Sequence, residues 1–171
     1  MALEMEFSFD DKTYRHYMNG FLAVMHCHHY MTLLTKLAEN FDDVGGTQIL
    51  RESAEDSVRP MFDDYIQKHG ITSPEEKLDV GKGYYSVMGM GLMEVSGSEQ
   101  GGEVKLTRSH VDQGWIKKWD KHDRPINYWT RGYISAMFAS AFDKPARSYE
   151  VEEVSSIVKG DEASKFIVKI K

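Results

Sequence analysis

The chain has 171 residues and a mass of 19.6 kDa; 41% of its residues are hydrophobic, 28% are charged and four are proline. A chain of that size buries roughly 70% of its unfolded surface, so it needs neither disulfide nor metal to hold a core, and its ordinary composition excludes a disordered tail, a collagen-like rod and a coiled coil. A net charge of -6, from 21 basic and 27 acidic residues, argues against nucleic acid as the main partner. The opening MALEMEFSFDDK carries carboxylates where a secretion signal carries lysines. Residues 20–41, GFLAVMHCHHYMTLLTKLAENF, read as the clearest helix. Cys27, Tyr30, Met31, Leu34, Ala38 and Phe41 step by three and four along one apolar stripe. Cys27 near the middle of that stripe reads as a buried, inert thiol. As the one cysteine, it rules out an internal disulfide and fits a reducing cytoplasm.

A second helix begins after Gly45-Gly46, with Leu50, Ala54, Val58, Phe62, Tyr65 and Ile66 on its inner face and Glu52, Glu55, Asp56, Asp63 and Asp64 turned to water. Pro60 is expected to kink or divide it, and Gly70 to stop it. Ser73-Pro74-Glu75-Glu76 combines a capping serine, a first-turn proline and first-turn acids, so a third helix runs to about Met88. Two strands follow, about 91–97 and 102–108, around a glycine-rich turn. A short helix near 110–119 puts Trp115 and Trp119 on one side. Pro125 opens a further helical stretch whose Gly132, Ser135, Ala136 and Ala139 permit close packing. Residues 148–160 and 164–171 form a terminal hairpin around Gly160-Asp161. The expected fold class is α+β, helices packed on a four-stranded antiparallel sheet. No repeat or linker divides residues 1–171, which read as one domain, and no apolar run approaches the ~20 residues of a membrane span.

The segments RPINYWTRGYISAMFASAF and YEVEEVSSIVKGDEASKFIVKI resemble the C-terminal half of the 4-vinyl reductase domain family. That family shows Pro-x-Cys, a Gly-Tyr-rich helix, Glu-x-x-Cys, a Gly-Asp turn, a further cysteine and a Phe-x-Val strand. The likeness covers about residues 110–170. Upstream it rests on the order of elements and on Gly89-Met90-Gly91 entering the first strand. The resemblance implies a small α+β domain related in shape to haem nitric-oxide sensors and to a lipid-holding vesicle-tethering subunit. It also implies a small hydrophobic ligand, aromatic sensing in some members, a link to bacteriochlorophyll synthesis in one branch, and a homodimer. In the sensor branch three cysteines and a glutamate hold zinc. The matching positions here are Asn127, Glu153, Ser156 and Ser164, and an amide and two hydroxyls are poor zinc ligands. No zinc is expected there; Asn127, Ser156 and Ser164 are expected to hydrogen-bond one another or water.

His26-Cys27-His28-His29 invites a metal or haem reading. On a helix His26 and His28 flank Cys27 and His29 points to the back, so only His26 and His29 can share an ion, with His110 as a third ligand. The competing reading is histidines flanking a buried cysteine, with no cofactor. Aromatic residues are the better signal. Tyr30, Tyr85, Tyr128 and Tyr133, with Met90, supply apolar faces carrying polar or polarizable atoms, the mixture that a pocket for a planar ligand uses; the same residues also suit a plain core. With the pocket placed by resemblance between sheet and helices, the candidate ligand-binding residues are His26, Tyr30, Tyr85, Met90, His110, Trp115, Tyr128 and Tyr133. Catalysis has little support: phosphate-loop and nucleophile-elbow motifs are missing, and adjacent carboxylates such as Glu152-Glu153 look solvated. The leading expectation is a cytoplasmic small-molecule sensor that signals to a separate protein. Its rivals are a metal- or haem-dependent enzyme acting on tetrapyrrole-like or hydrophobic substrates, and an interaction module without an open pocket.

Overall fold

A computed structural model describes residues 3–171, so the first two residues of the opening segment lie outside it. Strands β1 (Phe7–Asp10), β2 (Arg15–Met18) and β3 (Phe21–Ala23) pair antiparallel in that order. Then come α1 (His28–Asn40), a 3-10 turn (Asp42–Val44), α2 (Gly46–Lys68) and α3 (Pro74–Val87). β4 (Gly91–Ser98) and β5 (Gly101–Ser109) make a hairpin, followed by α4 (His110–Trp119) and α5 (Tyr128–Ala141). The chain ends with β6 (Tyr149–Ser155), a second 3-10 turn and β7 (Ser164–Ile170). The main sheet has the order β4-β5-β7-β6 with every pair antiparallel. The class is α+β, with five helices and a four-stranded antiparallel sheet, as the sequence pattern implies. Among the described residues no helix is long and apolar enough to cross a membrane.

The three-stranded sheet overturns the helix expected from residue 20. Two local turns build it. The Asp10 carboxylate accepts from the backbone N–H groups of Lys12 and Thr13 and from the Thr13 hydroxyl, closing β1 onto β2. Asn19 and Gly20 then take φ of 50° and 82° between the paired Met18 and Phe21, the left-handed turn that Asn-Gly favours in tight hairpins. Residues 20–27 are therefore strand and loop, and the helix starts only at His28. Cys27 is its extended N-cap and is exposed, a correction to the buried thiol expected there. The burial of α1 also differs from the expected stripe: Met31, Thr32, Thr35, Ala38 and Glu39 face inward, while Tyr30, Leu33, Leu37 and Phe41 face out.

Helix α2 runs unbroken through Pro60, so the expected division does not occur. Glu55 is a second correction. It is buried, not solvated, because it accepts the Arg147 backbone N–H at 2.7 Å while the Arg147 guanidinium grips Asp56. Helix α5 is the centre of the molecule, apolar nearly all round and buried from Gly132 to Ala141. On one side it meets the sheet, where Phe138, Phe166, Leu106 and Val104 fill the interface; on the other it meets α2 and α3.

The α2–α5 crossing depends on Gly132, where an added Cβ would stand 1.9 Å from the Arg51 carbonyl oxygen. Backbone cannot yield as a side chain does. Gly132→Ala gains ~1 kcal/mol of helix propensity but forces two helices apart, an overpacking cost of ~1–3 kcal/mol or more. A net loss of about 2 kcal/mol in urea unfolding is expected; a neutral or stabilised variant would show that the crossing is not close-packed.

Candidate functional site

The sequence upstream of α4 sets the first candidate region, the seam between α1 and α4. Ser109 caps α4 by accepting the Asp112 N–H at 3.1 Å, and the His110 N–H is held by the Met90 carbonyl at 2.9 Å. Gly114 lets α1 approach: a Cβ there would lie 2.8 Å from Thr32 and 2.9 Å from His28. The histidines gather at this approach. The His110 ring lies 5.7 Å from that of His26 and 6.0 Å from that of His28, with Tyr30 6.0 Å from His26. Further along the same seam Trp115 is buried against Trp119 and His122, with the Lys36 ammonium 5.4 Å from its ring centre. Buried Glu39 fixes that end by accepting from His122 and Arg124 at 2.8 Å and from Lys36 at 3.2 Å.

Three polar atoms of this seam, His28 Nε2, His110 Nε2 and Trp115 Nε1, are buried without a protein partner. Leaving such a group unsatisfied costs ~1–3 kcal/mol, so each of these three atoms calls for a polar partner from outside the protein. Burial and the charges of His26 and His28 hold His110 below the usual imidazole range, and burial with His29 and Lys117 does the same for His28. The lowering favours the neutral ring, in which one nitrogen donates and the other accepts.

The other expected ligand residues divide differently. Tyr85, Tyr133 and Met90 belong to the deep core: the two tyrosine rings stand 5.0 Å apart edge to face, Tyr133 donates to the Gly81 carbonyl at 2.6 Å, and the Tyr85 hydroxyl lies 3.1 Å from that of Thr130. Burial raises both phenols well above their usual range, so they stay neutral. Tyr128 opens α5 and is pushed up to about 12 by burial and then by Glu39. His26, Tyr30 and His110 thus gather at the start of the seam, and Trp115 lies further along it. His26 and His29 are not neighbours in the way a helix requires; His29 stacks on His28 at 4.3 Å, because residue 26 precedes the helix. Among the described residues no three His, Cys, Asp or Glu side chains are arranged to hold a metal ion. His28, which the sequence reading set aside as a flank, is the residue it missed; the signal available was Gly114, whose missing side chain leaves room for it.

A second buried polar cluster occupies the positions matched to the family's zinc ligands. The Asn127 amide donates to Asp112 at 2.9 Å and to Glu153 at 2.8 Å, and its backbone N–H donates to the other Glu153 oxygen at 3.1 Å. Ser164 donates to Asp112 at 3.0 Å and accepts the Ile157 N–H at 3.0 Å. Asn127 and Ser164 are thus joined through a carboxylate and not directly to each other, while Ser156 gives its backbone N–H to Asp161. Burial raises Asp112, against the pull of Ser109, Asn127 and Ser164. Burial and then the Asp112 charge push Glu153 up to about 7. Glu153 is a correction to the solvated Glu152-Glu153 pair: β6 alternates, so Glu152 is exposed and Glu153 faces the core. Asp112 was legible only as the acid of a Ser-x-x-Asp cap, with no sign that it would be buried.

No family profile matches the sequence, and no curated protein matches it by sequence. Solved structures do match in fold. The phenol-responsive sensory domain of the transcription activator PoxR, determined with phenol, superposes with a TM-score of 0.78 at 13% identity over 96% of this chain and 84% of that one. A vinyl-4-reductase family protein from Methanocaldococcus jannaschii gives 0.59 at 18% identity over 87% and 84%. A trafficking protein particle complex subunit 3 from Naegleria fowleri, covalently bound to palmitic acid, gives 0.55 at 12% identity over 84% and 95%. In fold, the chain is similar to the vinyl-4-reductase family protein and to the phenol-responsive sensory domain, as the resemblance of its C-terminal segments implies.

Proposed function

We propose that residues 1–171 form one cytoplasmic ligand-binding domain that senses a small aromatic molecule bearing a hydroxyl or similar polar group, held at the α1–α4 seam. The observation that carries this reading is the set of buried, unpartnered atoms on His28, His110 and Trp115 within an aromatic seam. The fold shared with a phenol-responsive domain supports it. The exposed pair His26 and Tyr30 forms the entrance. Apolar burial supplies the affinity: one ring of ~150 Å² at ~25 cal/mol per Å² contributes about 4 kcal/mol. Hydrogen bonds of ~1 kcal/mol each select which ring is accepted. Occupancy then signals only in so far as two arrangements of the domain bind the ligand unequally.

The same proposal includes a homodimer. Among the described residues, twelve of the fifteen exposed large apolar side chains lie between Phe7 and Ile49, so the uncovered apolar side chains are concentrated in one stretch of the chain. Leu33, Leu37 and Phe41 align on the outer side of α1, opposite the inward-facing Met31, Thr32 and Thr35. A second copy seated there packs on the helix that carries His28, which gives ligand binding a route to the dimer and to a separate signalling protein. The proposal further takes the Asp112–Asn127–Glu153–Ser164 cluster as a metal-free replacement for the zinc of related domains, joining the same elements through hydrogen bonds.

Each part has its own test. Calorimetric titration with phenol is expected to show saturable binding, weakened about fivefold by His110→Ala and by Trp115→Phe; the absence of saturable binding by phenol and by simple substituted phenols overturns the ligand. Leu33→Glu with Leu37→Glu is expected to convert a dimer into a folded 19.6 kDa monomer in sedimentation; a monomeric unaltered protein overturns the dimer. For the cluster, a chelator is expected to leave the unfolding midpoint unchanged. A carboxyl raised from 4.5 in the unfolded chain to about 7 in the fold keeps its proton longer when folded, so its contribution is full below about pH 4.5 and declines as pH rises toward 7. His28 and His110, lowered in the fold, act in the opposite direction, so the comparison must be with a variant. Relative to Glu153→Gln, the unaltered protein is expected to lose about 1–3 kcal/mol in urea unfolding between pH 5 and pH 8. A gap that does not change with pH shows that Glu153 is ionised throughout.

A further inference from the structure

A cleft of about 130 Å³ lies where α2 crosses α5 beside β6, and it shares no residue with the α1–α4 seam. Its walls include Gln48 and Arg51 from α2, Arg131 and Ser135 from α5, Glu150 from β6 and Lys171. The close crossing at Gly132 places the two arginines together, since the Arg51 carbonyl rests on that glycine and Arg131 precedes it. Both guanidiniums have donors to spare. Arg131 gives Nε–H to the Val151 carbonyl at 2.7 Å, and no other hydrogen bond or ion pair engages its side chain among the described residues; the Arg51 side chain has none. Most of the nearby acids are engaged elsewhere, and Glu153 and Glu150 act on Arg131 only through their charge. Glu55 and Asp56 are held by Arg147, Glu52 accepts from Gln48 at 2.8 Å, and Glu150 on β6 lies outside ion-pairing distance of either arginine. Arg131 is driven below its usual range by burial and then by the charge of Arg51, a pull that Glu153, Tyr128 and Glu150 only partly offset.

We propose that this cleft is a second binding site, taking a small oxyanion, the carboxylate or phosphate group of a small molecule, between the Arg51 and Arg131 guanidiniums. Planar forks of N–H donors match such groups in paired hydrogen bonds. The volume admits the charged group itself and leaves the rest of the molecule at the surface. Arg131 also staples α5 to β6 through Val151, so the anion would sit on the same helix that runs through the centre of the core.

The test is an NMR titration of the full chain with inorganic phosphate and, separately, acetate, following the arginine Nε–H signals at constant ionic strength set by chloride. Saturable shifts of the Arg51 and Arg131 signals are expected with at least one of the two anions, and whichever binds tighter identifies the phosphate or carboxylate source. Arg51→Gln, which removes no bond within the protein, is expected to weaken binding about tenfold. Arg131→Lys keeps the charge and loses the fork, and is expected to weaken it as well. Shifts that fail to saturate with both anions, or equal affinity in Arg51→Gln, overturn the proposal and leave only the general stabilisation that excluded anions give any protein.

Discussion

Asn127 stands where four elements meet, and the positions of the rest follow from how it is satisfied. Its amide and backbone N–H groups bind Asp112 from the first turn of α4 and Glu153 from β6, while Ser164 of β7 closes the cluster from the far side. Two carboxyl groups buried this close cannot both carry charge at little cost, and each needs donors in place of water. Removing such donors leaves uncompensated polar atoms inside the protein, which costs more than a typical hydrogen bond contributes. The cluster therefore acts as a directional joint. It sets where α4 starts, and so where His110 and Trp115 face α1; it also sets where α5 starts, and so where Arg131 and Gly132 meet α2.

Apolar burial does the larger energetic work without choosing a geometry. Tyr84, Tyr85, Tyr133, Phe62, Phe138 and Phe166 are almost entirely removed from water, and at ~25 cal/mol per Å² this outweighs any single polar contact. The aromatic contacts among them, such as Phe62 against Tyr133 at 5.2 Å, are compatible with many arrangements. Glycines at the crossings narrow the choice. Gly81 admits the Met137 side chain and Gly132 admits the Arg51 backbone, so α5 can sit against both α3 and α2. Buried tyrosine hydroxyls then find specific carbonyl or hydroxyl partners, which orients rings that packing alone would leave free to turn.

Helix α1 is used on both sides. Thr32 and Thr35 face inward because each hydroxyl is satisfied within the helix, by the His28 and Met31 carbonyls, so a polar side chain can line the seam without an external partner. Larger apolar residues are turned out. A helix with satisfied polar groups toward its own fold and leucines toward solvent is suited to lie between two bodies, one being its own domain.

Much of the molecule from residue 46 onward was legible in the sequence. Ser73-Pro74 marks a helix start, the alternation in 149–155 and 164–170 marks strands, and these signals are local: they depend on backbone donors and side chains within a few residues. The same locality explains the failures. The apolar run after Asn19-Gly20 fits a helical period, and only pairing with β2 and β1 settles it as a strand. Cys27, Tyr30 and Glu55 were misplaced because periodicity gives the faces of a helix and not the neighbours that cover them; α4 covers one side of α1, and Arg147 reaches Glu55 from ninety-two positions away. By itself the sequence determined the kinds of element, most of their limits, and the polar side chains of Asn127, Ser156 and Ser164. Only the tertiary structure decided that Asp112 and Glu153 share the Asn127 amide, that His28 faces Gly114, and that Arg51 and Arg131 line one cleft. Each of these pairs residues far apart along the chain, and their energies arise from burial and charge that no local pattern records.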